Sequence, residues 1–277
     1  MCVFELRGME LMGLHVYPVT IGQISPPIHG LLSRPSAKDH TLPTLIYYHG
    51  LNGTRNQAFQ DRYLILAEAI QNLDCNLISV DLRGHGERRA DKNIPAVENF
   101  IRLLADKEKN PFEGALADIK RTVDFVIEKK IALPQQIGVI GLSWGGTHVL
   151  YALKHERRIR CGISLLPVCS IGSLLEFRAM KEHPVIKQYE PLNFVKELAP
   201  KPLLMVTGEK DKRAEPRFAS DLFQQLEIEY GEAGAADRLA YAMLLNTSHA
   251  YDERMTDMVV DWIQEYLLPE PNTPNLG

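Results

Sequence analysis

Along this chain, apolar runs of strand length alternate with longer segments in which apolar residues recur every three or four positions. That alternation is the pattern of a mostly parallel sheet covered by helices on both faces, which makes the fold class α/β. Strands are expected at Leu14–Ile21, Pro27–Ser33, Thr44–Tyr48, Asn76–Val80, Ile137–Ile140, Cys161–Leu165, Leu203–Thr207 and Leu239–Leu244. From Thr44 onward each run is short and continuously apolar, as suits a strand buried on both faces. Only a few residues separate the first two strands, too few for a parallel crossover, so they are expected to form an antiparallel hairpin at one edge.

Helices fit between the strands at Gln57–Gln71, Gly114–Lys130, Ser143–Lys154, Arg217–Gln225 and Asp252–Leu267. In the second, Ile119, Val123, Val126 and Ile127 form one apolar stripe that would face a sheet. Two stretches interrupt the alternation, Arg88–Phe112 and Pro167–Pro200. The second carries Leu174, Leu175, Phe177, Met180, Val185 and Ile186, which favours an ordered cap over a loose linker. No repeat, low-complexity tract or linker divides the sequence. Residues 1–277 are therefore expected to form a single domain with a cap-like insertion at about 167–200.

Composition narrows the function classes. With 45% hydrophobic and 24% charged residues and four cysteines in 277 residues, neither a disordered chain nor a disulfide scaffold fits. A formal charge of −4 argues against nucleic acid as a partner, because duplex binding relies on clustered cations. The densest basic stretch, Arg157, Arg158 and Arg160, reads as a solvated helix end. No segment approaches the about 18 uninterrupted apolar residues of a membrane span, and Glu5, Arg7 and Glu10 interrupt any signal-peptide core. A cytoplasmic location is the expectation. Cys2, Cys75, Cys161 and Cys169 form no CxxC pair and are read as reduced, mostly buried thiols. No metal or cofactor is expected.

The informative window is Ile137–Gly146, where Gly141-Leu142-Ser143-Trp144-Gly145 closes an apolar strand and opens a helix. A serine nucleophile needs a sharp turn at the carboxyl edge of a sheet, with glycines where side chains would collide with neighbouring backbone. The bland alternative is a serine that merely caps the helix. A hydroxyl also needs a base. His148 lies about 500° further round the same helix and cannot reach back. His249, in the polar turn Asn246-Thr247-Ser248-His249-Ala250, lies at the same sheet edge, and its alternative role is a helix cap. The orienting carboxylate should come from another loop at that edge. Strand Leu203–Thr207 is followed by Gly208-Glu209-Lys210-Asp211, and Asp211 is far enough past the strand to turn back over the edge. Its alternative is a turn-shaping role. After Thr44–Tyr48, His49-Gly50-Leu51-Asn52-Gly53 brings a second glycine turn to the edge, so the amides of Leu51 and Trp144 form the expected oxyanion pair. His49 reads as structural, bonding loop backbone. Asp81-Leu82-Arg83-Gly84-His85-Gly86 reads as a loop that fixes the rim.

In order, YYHGLNGTRN, DLRGHGER, GLSWGG, LLMVTGEKD and TSHAYDE resemble the signatures of the α/β-hydrolase superfamily from about Ile28 to Leu267. The set is most similar to small bacterial esterases of the dienelactone-hydrolase and prolyl-oligopeptidase-like branch. That resemblance implies an eight-stranded hydrolase fold with Ser143 as nucleophile, Asp211 as acid, His249 as base and Leu51 and Trp144 as oxyanion donors. The chain departs from the branch at Glu87-Arg88-Arg89, after the RGHG loop, and in having Ser at position 143 where dienelactone hydrolases have Cys. It also carries no propeller domain. A small-molecule ester is the expected substrate, hydrolysed through an acyl-enzyme. An aminopeptidase or amidase on the same residues, and a hydrolase-like binding protein without turnover, are the competing readings. Leu174, Phe177 and Met180 are candidate substrate-binding side chains on the insertion, whose apolar face would equally suit a homodimer contact.

Overall fold

The computed structural model describes residues 9–11, 13–22, 26–35, 41–106 and 110–268. Among these residues nine strands form one sheet: β1 (Met9–Leu11), β2 (Leu14–Ile21), β3 (Ile28–Arg34), β4 (Thr44–Tyr48), β5 (Asn76–Val80), β6 (Ile137–Leu142), β7 (Ile159–Leu165), β8 (Leu203–Gly208) and β9 (Leu239–Leu244). Their order is β1-β2-β3-β5-β4-β6-β7-β8-β9. All eight expected strands are present, and the three-residue β1 is added beyond the β2–β3 hairpin at the antiparallel edge. From β5 to β9 every neighbouring pair is parallel.

The chain runs from β4 outward to β5 and then crosses back to β6 on the other side of β4. The carboxyl ends of β4 and β6 therefore flank the switch point of the sheet, where open α/β sheets form their crevice. Among the described residues, seven α-helices flank the sheet: α1 (Leu64–Asn72), α2 (Ala96–Ala105), α3 (Pro111–Glu128), α4 (Trp144–His155), α5 (Pro184–Tyr189), α6 (Pro216–Glu232) and α7 (Arg254–Tyr266). Strand β4 shows why its run is apolar throughout. Ile46 and Tyr48 point into a core shared with α2, α3 and α4, while Leu45 and Tyr47 point into the opposite core beneath α1 and α7. A period of two with both faces covered leaves no polar position.

Several boundaries moved for identifiable reasons. The expected helix Gln57–Gln71 is broken into two short 3-10 turns, Arg55–Phe59 and Asp61–Tyr63, before α1, because Gln60 is extended and Asp61 has φ +49°. The stretch Arg88–Phe112 contains α2, and Asn110 then caps α3 by accepting from the Phe112 and Glu113 amides at 3.0 and 3.4 Å. Helix α6 runs past Gln225 because Leu222, Leu226 and Tyr230 continue its buried stripe at four-residue steps. Residues 167–200 fold as short helical turns, stapled where the Glu190 carboxylate accepts from the Ile171 and Gly172 amides at 2.8 and 2.9 Å. The stretch packs on α3 and α4 through a Phe112–Tyr189 stack at 4.6 Å and a Tyr151 hydroxyl donating to the Tyr189 carbonyl.

Two surface readings are corrected or completed. Arg158 is not simply solvated: it pairs with Asp124 at 2.8 Å and Glu156 at 2.5 Å, while Arg160 donates to the Tyr266 carbonyl. Cys75, Cys161 and Cys169 are buried free thiols, and Cys2 lies outside the described residues. Among the described residues, no helix is long and apolar enough to cross a membrane.

A buried ionic hub joins the loop after β5 to α3. The Asp118 carboxylate on α3 takes both arms of the Arg83 guanidinium at 3.0 and 3.1 Å, Arg88 at 2.8 Å and Arg121 at 3.2 Å. The Arg88 side chain is 1% exposed.

Candidate active site

Strand β6 delivers Ser143 to the crevice through a turn that only glycine flanks permit. A Cβ on Gly141 would lie 2.2 Å from the Gly145 carbonyl oxygen, and one on Gly145 would lie 1.9 Å from that of Tyr48. Ser143 itself has φ +57° and ψ −114°, a strained conformation for a residue with a side chain. Neighbouring backbone holds it there: the Ser143 amide donates to the Leu165 carbonyl at 2.8 Å, and the Ser143 carbonyl accepts from Thr147 at 3.2 Å. Its hydroxyl makes no cap bond to α4, so helix capping does not explain the residue.

The Ser143 hydroxyl instead lies 2.8 Å from Nε2 of His249, whose Nδ1 lies 2.7 Å from Oδ2 of Asp211. The carboxylate can only accept here, which places the ring proton on Nδ1 and leaves Nε2 to accept from the serine. Asp211 is 3% exposed, and its second oxygen accepts from the Arg213 and Ala214 amides at 2.8 and 2.9 Å. It thus shapes its own turn and also holds the imidazole. His249 sits well before the start of α7 and caps nothing.

Glu209, the other acid after β8, is used differently. It accepts from the Asn246 amide at 2.9 Å, and the Lys210 amide donates to the Thr247 carbonyl at 2.9 Å. A Cβ on Gly208 would lie 2.5 Å from that same Thr247 oxygen, so the acid-bearing and histidine-bearing loops lie directly against each other.

Beside Ser143, the turn Gly50–Gly53 is closed by the Gly53 amide donating to the Gly50 carbonyl at 2.9 Å. That bond does not use the Leu51 amide. Asn52, at φ +64°, anchors the turn by accepting from the Val97 amide of α2 at 3.1 Å. In α4, the Thr147 amide is the first to bond within the helix, so those of Trp144 and its two successors have no intrahelical acceptor and face the crevice end.

The insertion residues fall differently from their apolar pattern. Leu174 and Phe177 are 1% and 0% exposed, and the Phe177 ring stacks on Trp144 at 5.7 Å. They therefore back the serine turn from the core side. Met180 is partly exposed, and the neighbouring Leu175 is 73% exposed. The insertion also reaches the acid loop, where Glu176 pairs with Arg213 at 2.7 Å.

Three further histidines are structural. His49 accepts from the Leu82 amide through Nε2 at 3.0 Å and donates from Nδ1 to the Gly50 carbonyl at 2.8 Å, bonding loop backbone as expected. His85 and His148 each place Nδ1 against a backbone carbonyl. Burial holds His49 well below the usual imidazole range, with His85 adding to the effect, and pushes His85 and His148 down to about 4. All three are neutral when folded, while the unfolded chain takes up protons near the ordinary value. Their contribution is complete above the ordinary imidazole value of about 6.5 and is lost progressively as pH falls below it, for His85 and His148 down to about 4. Urea midpoints measured from pH 7 to pH 5 are expected to fall steadily, and a flat profile would contradict this account.

The rim loop after β5 is fixed by charge. Both Asp81 oxygens accept from Arg55, one from its backbone amide at 2.8 Å and one from its guanidinium at 2.5 Å. Gly86, at φ +53°, lets the loop close on that carboxylate. Among the described residues, no group of three or more His, Cys, Asp or Glu side chains is placed to hold a metal ion. Sequence reading overlooked Gln57, whose carboxamide oxygen accepts from the Gly50 amide at 2.9 Å, and the Asp118 hub. Neither carries a motif.

The profile of a family described as alpha/beta hydrolase fold matches residues 43–185, just over half of the chain. YtaP of Bacillus subtilis (strain 168), whose name describes it provisionally as a hydrolase, is 19% identical over 219 residues, covering 74% of this chain and 72% of YtaP. The acylaminoacyl peptidase of Pyrococcus horikoshii superposes with a TM-score of 0.71 at 14% identity, covering 94% of this chain but only 43% of the peptidase. An esterase of Pyrococcus furiosus superposes with a TM-score of 0.66 at 18% identity, covering 92% of this chain and 94% of the esterase.

Proposed function

The chain belongs to the α/β-hydrolase fold family, and we propose that within it the protein is a serine carboxylesterase working through an acyl-enzyme. The observation that carries this reading is the continuous hydrogen-bonded chain from the Ser143 hydroxyl through His249 to the buried Asp211 carboxylate. His249 takes the hydroxyl proton at Nε2 as Ser143 Oγ attacks the ester carbonyl. Asp211 stabilises the imidazolium through Nδ1. The Leu51 and Trp144 amides hold the oxyanion, each such donor contributing about 10² to 10³ in rate. Collapse of the tetrahedral intermediate expels the alcohol, which receives the proton from His249. Water then repeats the sequence on the acyl-serine, restoring the enzyme and releasing the carboxylic acid. No step calls on a cofactor.

The whole apparatus is read as one catalytic unit with 167–200 as its cap. The ester is preferred here because the likeness to the esterase of Pyrococcus furiosus spans 92% of this chain and 94% of that esterase. A p-nitrophenyl acyl ester is expected to give a burst of nitrophenol, with the acyl mass recovered on the peptide containing Ser143. Amides of the same acyl group are expected to react more slowly. Faster amide cleavage would favour the peptidase reading. A folded protein that neither turns over esters nor takes a fluorophosphonate at Ser143 would overturn the proposal in favour of a binding protein.

A further inference from the structure

The 3-10 turn Arg55–Phe59 is started by Thr54, whose carbonyl accepts from the Gln57 amide at 3.0 Å. This folds the chain back so that the Gln57 side chain lies over the Gly50 turn. Its Oε1 accepts from the Gly50 amide at 2.9 Å and from the Tyr47 hydroxyl at 3.1 Å. The Gly50 amide can only donate, so the oxygen end of the carboxamide is fixed and its NH2 end is turned the other way. That NH2 makes no hydrogen bond among the described residues, and Gln57 is only half-buried.

Its surroundings give the free amide a direction. Gly50 leaves a slot in which a Cβ would sit 3.7 Å from Ser143 Cβ, 3.6 Å from the Leu142 carbonyl oxygen and 3.9 Å from Gln57 Nε2. Ser143 Cβ and the carboxamide nitrogen thus both border the space that a side chain at Gly50 would fill, and Gly50 directly precedes Leu51. Building on the ester-hydrolase reading above, we propose that Gln57 Nε2 is a third donor to the carbonyl oxygen of the substrate. A neutral donor held by two hydrogen bonds needs no reorganisation when that oxygen becomes negative, which is the condition under which such donors act on the transition state. Gln57 also acts as the anchor of the loop through Oε1, so its two ends have separable roles.

The separation gives the test. Gln57→Glu keeps an oxygen for the Gly50 amide and the Tyr47 hydroxyl but removes the donor. Its thermal midpoint is expected to stay close to that of the parent, while kcat falls at least ~10-fold with KM within about threefold. The new negative charge could lower kcat without any lost donor, and a thionoester with the same acyl and alcohol groups separates the two causes. Sulfur accepts hydrogen bonds weakly, so loss of a donor narrows the oxoester-to-thionoester rate ratio, whereas repulsion lowers both rates together. If Gln57→Glu is unstable, the ratio is read from Gln57→Met. A narrowed ratio supports the proposal; an unchanged ratio, or kcat within threefold of the parent, overturns it. Failure of the parent protein itself to acylate at Ser143 would instead overturn the esterase reading.

Discussion

Ser143→Ala is expected to lower kcat on a p-nitrophenyl acyl ester by at least about 10⁴, and His249→Ala by a comparable factor. In the proposed relay the two residues take part in a single proton transfer across 2.8 Å, so once either is gone the other has nothing left to do. The double variant should therefore be little worse than either single one, the remaining rate coming from the oxyanion donors and from binding. Rate constants for the four proteins, measured on one ester, decide the matter. If the two losses multiplied, the residues would be acting in separate steps and the relay would be wrong. Neither change should unfold the protein, because Ser143 is held in its turn by backbone bonds to Leu165 and Thr147.

Asp118→Ala is expected to produce a large loss of stability. The carboxylate is the shared partner of Arg83, Arg88 and Arg121, and the Arg88 side chain is 1% exposed. Removing it leaves a buried guanidinium whose Nε and Nη2 already lack hydrogen-bond partners. Breaking a buried pair from one side costs about 3–5 kcal/mol. Denaturant midpoints with unchanged slope would register it, and the melting temperature should drop by about 10 °C for a chain of this size. Arg121→Ala makes the comparison: that side chain is 39% exposed, and its loss should cost no more than about 1 kcal/mol. Equal costs for the two variants would show that the hub is worth no more than a surface pair.

The Asp118 hub also marks where sequence reading stops. The strands from Thr44 onward could be read because burial on both faces leaves an uninterrupted apolar run, and the serine turn because strand, glycines and helix are adjacent in the chain. Both are local. Asp118 and its partners Arg83 and Arg88 lie 30 or more residues apart, with nothing in their spacing to pair them, and each alone looks like a solvated charge. Gln57 is similarly mute, since its meaning comes from a glycine seven residues earlier whose missing side chain opens a slot toward Ser143. The insertion lies between these cases. Its apolar content signalled order, but composition cannot say which way Leu174 and Phe177 face; both lie in the core, where Phe177 stacks on Trp144. The helix expected over Gln57–Gln71 failed at Gln60 and Asp61, whose side chains are helix-compatible while the backbone is extended at Gln60 and left-handed at Asp61.

Because the histidine- and acid-bearing loops brace each other through Lys210, Thr247, Glu209 and Asn246, the site is also ordered in time. His249 lies 106 residues after Ser143, so at the usual pace of about 5–20 residues per second a ribosome needs some 5–20 s to add it. Until β9 and its following loop emerge, a nascent chain carries a serine with no base. On the proposed esterase reading the protein is thus made inert, and reactivity arrives only when the last strand of the sheet docks.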